Sequence, residues 1–329
     1  MQSLNGILSC VGNTPLVQLE KYFTDPSFKL FAKLEMFNPG GSVKDRPATK
    51  MLMEAYNSGK INGNSTIIES SSGNCGIGLA QACATLGLKF ICVTDVRSTL
   101  TARKIIRAYG GIIDMVEKPH PEKGFLGARW ARVAELVETI PNSFNCNQYK
   151  NPNNPRAHYD TMEEILTALD HDLDYVFCAT STCGTLRGLS EYVEQNNLKT
   201  KVIGVDAKGS VIFGDKPKKR LIPGHGAATM PPHYCPGLED DFVLVSDLDC
   251  VIGCRKLILR EGIFVGGSSG AVISGIEKMQ HQIPPGSTVA CILCDQGVRY
   301  LDTIFSDDWV EEHFGEVSHN WIPQSSALN

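Results

Sequence analysis

The sequence lacks the features that mark several classes of protein. No apolar run approaches the roughly 18–20 residues that a membrane-spanning helix needs. The first six residues, MQSLNG, have no basic stretch followed by a long apolar core, so we expect no secretion signal. Positive charge is not in excess, since 31 Lys and Arg face 36 Asp and Glu, a formal net charge of −5. A nucleic-acid partner is therefore not expected, because phosphate backbones bind to basic faces.

A metal-binding cysteine array is also missing. The 12 cysteines include the pair Cys291 and Cys294 at Cys-x-x-Cys spacing, without a second Cys-x-x-Cys pair to complete a zinc-type array. Because this pair lies inside a strand-like apolar run, we expect reduced core thiols, as in cytoplasmic proteins, and no metal.

What the sequence does contain is a regular alternation of short apolar runs and helical patterns over 329 residues. Such alternation predicts parallel sheets covered by helices on both faces, and the number of strands favours two α/β domains. Strands are predicted at residues 29–35, 65–70, 88–94, 111–117, 175–179, 201–206, 242–246 and 287–293. Helices are predicted near residues 44–58, 75–86, 101–109, 124–139, 157–169, 184–196, 248–261, 269–281 and 300–306. The Asn- and Pro-rich segment 147–158 is expected to be a linker, and the tail after Gly315 to be frayed.

Four turns rich in Gly and Ser lead into predicted helices, at 38–48, 69–87, 178–188 and 262–275. Backbone N–H groups at such helix starts form anion sites, although each turn could also be an ordinary capped turn. The first contains Lys44, whose amine could form a Schiff base or could simply be solvated. The second contains Asn74, which could bond a ring substituent, or could cap the helix as Ser72 also could.

The third turn, CATSTCGTLRG, is rich in hydroxyl groups but matches neither GxGxxG nor GxxxxGK[ST]. It is therefore a candidate phosphate site of another kind. Carboxyl ends of parallel strands meet at one edge of a sheet, where α/β proteins bind ligands. Two anion-binding turns, an amide and a lysine together indicate pyridoxal phosphate, which needs a lysine, a phosphate cup and partners for its ring.

These segments, NPGGSVKDRPA, SSSGNCGIGLA, STCGT and GGSSGA, occur in the order seen in the cysteine synthase and cystathionine β-synthase family of fold-type II pyridoxal-phosphate enzymes. GNTPLVQL at 12–19 fits the usual opening, and the resemblance covers roughly residues 4–315. It implies a tryptophan synthase β-like fold of two three-layer α/β/α domains with mainly parallel sheets. The smaller, mobile substrate-loop domain would be 46–154, and the larger, cofactor-phosphate-binding domain 1–45 with 155–329.

The resemblance also implies roles for individual residues. Lys44 would be the catalytic residue and carry the cofactor. The other cofactor-binding residues would be Asn74, Ser181, Thr182, Cys183, Gly184, Thr185, Ser268 and Gln296. The substrate would be held by Ser71, Ser72, Gly73, Arg129, Gln148, Tyr149 and Ser181.

Some residues differ from those of common cysteine synthases. The cup reads STCGT rather than GTGGT, Tyr149 follows Asn-Gln where Phe is usual, and Gln296 stands where a Ser or Thr usually meets the ring nitrogen. Arg129 replaces a small residue; alternatively it is a surface arginine, because Arg132 follows three residues later. These differences, and the run VDAKGSVIFGDKP at 205–217, resemble a branch that makes 2,3-diaminopropionate for siderophores.

That branch joins O-phospho-L-serine to L-glutamate by β-replacement, through an aminoacrylate intermediate, and releases phosphate. Two alternatives remain. The chain could be a cysteine synthase that uses O-acetylserine or O-phosphoserine with sulfide. It could also be a non-catalytic member that binds a partner's C-terminal peptide, although such a protein has no need of Lys44. The resemblance further implies a cytoplasmic homodimer with small amino acids as its only other partners.

Overall fold

The computed structural model describes residues 6–322, and the chain divides into two compact units. The smaller unit holds residues 6–13 and Phe37–Thr161; the larger holds Thr14–Met36 and residues 162–322. The domain division expected from the sequence began at residue 46. Residues 6–13, 37–45 and 155–161, which that division gave to the larger domain, lie in the smaller unit, where the first helix packs on the second and fifth helices.

Strands and helices alternate through most of the described chain. The strands are β1 (Leu16–Gln18), β2 (Lys29–Leu34), β3 (Thr66–Ser70), β4 (Lys89–Asp95), β5 (Ile112–Val116), β6 (Ser143–Asn145), β7 (Tyr175–Ala179), β8 (Lys201–Ala207), β9 (Asp241–Val245) and β10 (Thr288–Leu293). The helices are α1 (Asp45–Asn57), α2 (Asn74–Leu86), α3 (Leu100–Ala108), α4 (Gly124–Thr139), α5 (Asn153–Arg156), α6 (Tyr159–Ala168), α7 (Gly184–Gln195), α8 (Asp247–Glu261), α9 (Gly267–Met279) and α10 (Asp307–Phe314). None of these helices is long and apolar enough to cross a membrane.

The smaller unit is built on a parallel sheet in the order β5-β4-β3-β6. Side chains alternate across β3, so Ile67 packs with the cluster that includes α1 and α2, while Ile68 packs with Val133 and Leu136 of α4. Helices α1 and α2 approach closely at Gly78, which has no side chain. A Cβ atom at this position would come within 2.9 Å of the Ala48 side chain. The carboxyl ends of β3 and β4, which carry the candidate residues, are thereby fixed between helices.

The larger unit has a six-stranded sheet in the order β1-β2-β10-β7-β8-β9, parallel except for β1, which runs antiparallel to β2. Its core includes the buried faces of α8 and α9 and the strands beneath them. Both sheets therefore confirm the predicted α/β fold with mainly parallel strands.

The structure corrects three local predictions. Residues 300–306 form no α-helix; a 3₁₀ turn at Gly297–Tyr300 is followed by turns, and α10 begins after Ser306, whose hydroxyl accepts a hydrogen bond from the Trp309 N–H (3.3 Å). The predicted linker contains the short helix α5, which packs on α1. The chain also remains packed beyond Gly315, because Trp321 is buried in the core; the final residues PQSSALN lie outside the described ones.

All 12 cysteines are free thiols, and ten of them are buried. Burial raises the pKa of the Cys291 thiol, so this member of the Cys-x-x-Cys pair is an unreactive core group near neutral pH. Among residues 6–322, no cluster of three His, Cys, Asp or Glu side chains is arranged to hold a metal ion.

Candidate active site

Lys44 is the residue immediately before α1, at the end of a tightly held loop. The Asp45 carboxylate accepts a hydrogen bond from the Gly40 N–H (2.5 Å), and a side chain at Gly40 would come within 2.6 Å of the same carboxylate. Ser42 adds a second restraint, since its hydroxyl accepts from the Lys44 N–H (3.2 Å). The Lys44 side chain makes no capping hydrogen bond to α1, so its amine is not needed to hold the helix.

The Lys44 amine lies near the start of α2. Burial raises the pKa of the Cys75 thiol well above its usual value, and the positive charge of Lys44 partly opposes this effect. Asn74, the first residue of α2, is half-buried, and Ser72 is exposed. The structure therefore brings the predicted lysine and the turn around Asn74 together within the smaller unit.

Ser71 has a structural role that the sequence did not indicate. Its hydroxyl accepts hydrogen bonds from the N–H groups of Gly76 (2.9 Å) and Gly73 (3.3 Å), which satisfies donors at the start of α2. Capping by Ser72 or Asn74 had been the alternative for this turn, and the observed cap is Ser71. A side chain at Gly73 would meet no atom within 4 Å, so there is open space in front of the helix.

Gln148 lies against the carboxyl end of β3. Its side-chain Nε2 donates to the Ser70 carbonyl (2.7 Å), and its backbone carbonyl accepts from Asn154 Nδ2 (2.6 Å). The first bond fixes the side chain and the second the backbone of Gln148, next to the turn at 71–74, where the resemblance places the substrate carboxylate.

Glu69 was not among the predicted site residues, yet it is the most perturbed carboxyl group in this part of the fold. It is buried and accepts hydrogen bonds from the N–H groups of Ser70 (3.0 Å) and Gln148 (3.4 Å). Burial raises its pKa, while these hydrogen bonds and the charge of Arg129 lower it. The effect of burial is the larger one, and the resulting pKa is about 8. The sequence signal that could have identified Glu69 is its position at the end of the apolar strand β3.

We expect this buried carboxyl to make stability fall as pH rises. Between about pH 4.5 and pH 8 the unfolded chain ionises at Glu69 while the folded chain keeps the proton, so up to about 1.4 kcal/mol is lost per pH unit. Glu69→Gln removes this loss. The difference between its urea midpoint and that of the wild type should therefore increase from about pH 5 to pH 8. Glu54→Gln, at an exposed carboxyl on α1, is the control. A difference between Glu69→Gln and wild type that does not change with pH would contradict the assignment.

Arg129 is buried, with 5% of its surface exposed, so the alternative of a surface arginine is wrong. It shares the sheet-facing stripe of α4 with Val133 and Leu136, four and seven residues further along the helix. Its Nε lies 3.3 Å from Oδ2 of the fully buried Asp95, the last residue of β4. By contrast, Arg132 lies at the partly exposed edge of α4 and pairs with Asp114 and Glu135.

The Arg129 guanidinium retains unused hydrogen-bonding capacity. Its distance to Asp95 is that of an ion pair, but neither Nε nor Nη1 makes an aligned hydrogen bond with any described residue. The guanidinium also faces Tyr149, whose pKa is raised by burial and lowered in part by this charge. Tyr149 is half-buried and packs edge-on against Trp130, with ring centroids 5.2 Å apart. Arg129 and Tyr149 therefore lie together, and part of the hydrogen-bonding capacity of the Arg129 guanidinium is not used by described residues.

The predicted phosphate cup lies in the larger unit, between β7 and α7. Residues Thr182–Thr185 are buried and Ser181 is half-buried. Cys183 adopts a left-handed conformation (φ 62°), which directs the chain into α7, and the Gly184 N–H donates to the Thr182 hydroxyl (3.3 Å). The loop is anchored where the Thr180 carbonyl accepts from the Gly226 N–H (2.6 Å).

Ser268 and Gln296 lie near the carboxyl end of β10, the neighbour of β7 in the sheet. Ser268 is buried in the first turn of α9, and the neighbouring Ser269 accepts from the Cys294 N–H (2.7 Å). Gln296 is exposed and its amide donates to the Met36 carbonyl (3.4 Å). The adjacent Asp295 is fully buried and accepts from the Tyr300 hydroxyl (2.6 Å).

These residues fit pyridoxal phosphate. An amine on a fixed loop and open space before α2 suit the ring, and a hydroxyl-lined turn at the N-terminus of a twelve-residue helix suits a phosphate. In the smaller unit, Lys44 and Asn74 are the candidates for contact with the ring; in the larger unit, residues 181–185 are the candidates for the phosphate.

Comparison with known proteins leads to the same class. The family model for pyridoxal-phosphate dependent enzymes matches residues 7–295, a span that includes both sheets. The chain is thus a fold-type II pyridoxal-phosphate enzyme. It belongs to the pyridoxal-phosphate dependent enzyme family, and its cofactor is pyridoxal 5′-phosphate.

Solved structures give similar chains of related chemistry. An O-ureido-L-serine synthase is 31% identical with a TM-score of 0.85, and the match covers 93% of this chain and 98% of that one. An O-acetylserine dependent cystathionine β-synthase from Helicobacter pylori is 33% identical with a TM-score of 0.84, covering 92% and 99%. An O-acetylserine sulfhydrylase, isoform 3, from Entamoeba histolytica is 32% identical with a TM-score of 0.85, covering 92% and 91%.

Proposed function

We propose that the chain is an N-(2-amino-2-carboxyethyl)-L-glutamate synthase, which joins O-phospho-L-serine to L-glutamate and releases phosphate. The observation that carries the proposal is the buried Arg129 guanidinium beside Tyr149: its Nε is ion-paired with Asp95, and its Nη1 has no hydrogen-bond partner in the described structure. Sulfide, the acceptor of a cysteine synthase, needs no such cation. A substrate phosphate or a glutamate carboxylate does, because a desolvated anion without a partner is costly.

The reaction replaces the group on the β-carbon of the donor amino acid. Bound pyridoxal phosphate supplies an electron sink that makes the α-proton of the donor acidic. Lys44 would hold the cofactor in the resting enzyme. Its amine, set free when the donor amino group takes its place, would accept the α-proton and later return it to the α-carbon. The turn at 71–74 and Gln148 orient the donor carboxylate, in keeping with the fixed geometry of their backbone and side chains.

Bond changes at the β-carbon require positive charge nearby. The Cβ–O bond of phosphoserine breaks and its electron pair leaves with the phosphate; the glutamate nitrogen then forms the new Cβ–N bond and loses a proton. Arg129 and Tyr149 supply donors for the leaving phosphate or the acceptor carboxylates. We propose in addition a homodimer in the cytoplasm.

The cup assignment predicts weaker cofactor retention when its hydroxyls are removed. The double variant Ser181→Ala with Thr185→Ala should lose pyridoxal phosphate on dialysis faster than the wild type, because it removes donors around an anion at a helix N-terminus. Bound cofactor is measured by absorbance before and after dialysis. A double variant of the exposed hydroxyls Ser58 and Thr139 to alanine is the matched control. Equal cofactor content in all three proteins would reject the cup.

Product analysis tests the proposed function. Holoenzyme is incubated with O-phospho-L-serine or O-acetyl-L-serine as donor and with L-glutamate or sulfide as acceptor, and products are identified by mass. We expect the glutamate adduct from phosphoserine, with one phosphate released per adduct. Cysteine without any glutamate adduct would make the chain a cysteine synthase. No product from any pair would favour the non-catalytic, peptide-binding alternative.

A further inference from the structure

The buried carboxylate of Asp95 has no role in the chemistry described so far. Asp95 ends β4 and lies on the same face of the sheet as Val93, two residues earlier, which packs with α4. Arg129 lies on the face of α4 that packs against the sheet, the face that also carries Val133 and Leu136. The two side chains meet 3.3 Å apart, with 0% and 6% of their side-chain surfaces exposed.

Asp95 is held from a second side by an exposed residue. Arg97 donates to Oδ1 through its backbone N–H (3.0 Å) and its Nε (3.0 Å), and to Oδ2 through Nη2 (3.2 Å). Burial alone would raise the pKa of Asp95, but the bonds from Arg97 and the charge of Arg129 outweigh it, so the net shift is downward. Asp95 therefore stays ionised and fixed in orientation at neutral pH.

The guanidinium of Arg129 has three other groups around it. These are the buried carboxyl of Glu69, the Cys92 thiol and the Tyr149 phenol. At neutral pH Glu69 is protonated, because burial raises its pKa to about 8, so Asp95 is the charged counter-ion of Arg129 in this cluster. A flexible arginine side chain without that counter-ion could turn toward Glu69 or toward solvent.

We propose that Asp95 is a positioning residue: it orients the Arg129 guanidinium beside Tyr149 and thereby sets the preference of the enzyme for anionic over neutral amino-acid substrates. This inference rests on the proposed function, in which Arg129 binds an anion. Asp95 itself does not touch the substrate. Its pairing uses the Nε side of the guanidinium and leaves Nη1, which has no other hydrogen-bond partner in the described chain, for the ligand.

The test compares binding of O-phospho-L-serine and L-serine to the holoenzyme. Each is titrated without acceptor while the cofactor absorbance is followed, and the ratio of the two half-saturating concentrations measures the anion preference. Asp95→Asn keeps the size and removes the charge, and we expect it to reduce the preference at least about tenfold while binding of L-serine changes little. A general structural defect would weaken both ligands alike.

Two further variants complete the design. Asp114→Asn removes the carboxylate that pairs with Arg132 on the exposed part of α4, and it should leave the preference unchanged. Asp95→Glu keeps the charge and should restore much of the anion preference that Asp95→Asn loses. If Asp95→Asn does not retain cofactor, the anion preference of Asp95→Glu is measured in its place.

The outcomes separate the two proposals. A wild type that binds L-serine as well as phosphoserine would show that the proposed substrate is wrong, and the positioning role would fall with it. A wild type that prefers phosphoserine, with an unchanged preference in the Asp95 variants, would overturn the positioning role alone. Loss of the preference in Asp95→Asn, but not in Asp114→Asn, would support both.

Discussion

Lys44→Ala is expected to abolish turnover, with a loss of at least about 10³-fold, and to remove the absorbance of the lysine-bound cofactor. The variant loses both the point of covalent attachment and the amine that moves the α-proton, and the proton transfer alone is typically worth about 10²–10⁴-fold. The fold should survive, because the Lys44 side chain does not cap α1 and the loop is held by Ser42 and Asp45. Turnover and the absorbance spectrum of the purified variant measure the two effects.

Lys50→Ala provides the control, since Lys50 lies within α1, six residues after Lys44 and outside the loop. It should keep the spectrum and the activity of the wild type. A lysine-linked cofactor adduct that persists in Lys44→Ala, located by mass after reduction and digestion, would show that another lysine carries the cofactor.

Arg129→Ala is expected to have the second-largest effect, on both catalysis and stability. Loss of a charge-assisted contact to the substrate should lower kcat/KM with phosphoserine and glutamate about ten- to a hundredfold, while cofactor content stays near that of the wild type. Breaking the buried pair with Asp95 should also lower the free energy of unfolding by up to about 3–5 kcal/mol. The two quantities are measured by steady-state kinetics and by urea unfolding.

The neighbouring Arg132 offers a matched control on the same helix. Its pairs with Asp114 and Glu135 are at the surface, so Arg132→Ala should cost about 1 kcal/mol or less and leave kinetics unchanged. Unaltered kinetics in Arg129→Ala, with a loss of stability, would make the buried arginine a purely structural residue.

Much of the fold was predictable because hydrophobic patterns report local structure. Two of the predicted apolar runs form β7 and β10, the central strands of the six-stranded sheet. The helix predicted at 124–139 is α4, with the same bounds. The turn at 181–185 was also predictable, because a strand, a hydroxyl-rich loop and a helix in succession have few alternatives in a parallel sheet.

Other parts depend on contacts between residues distant in sequence. Asp95 and Arg129 lie on different elements, so the burial of Arg129 and its counter-ion could not be derived from the spacing of Arg129 and Arg132. Ser71 lies before both expected cap residues, Ser72 and Asn74, and two residues before the residue that precedes α2, a position that a local capping rule does not anticipate. The raised pKa of Glu69 follows from the packing around it rather than from its neighbours in the sequence.

The relative specificity for glutamate and sulfide tests the central claim most directly. With O-phospho-L-serine as donor, kcat/KM is measured for each acceptor, and the adducts are identified by mass. Sulfide is small and nucleophilic, so a side reaction is expected. We predict that glutamate, adding through its α-amino group, has the higher kcat/KM. A higher value for sulfide, with no glutamate adduct detected, would contradict it.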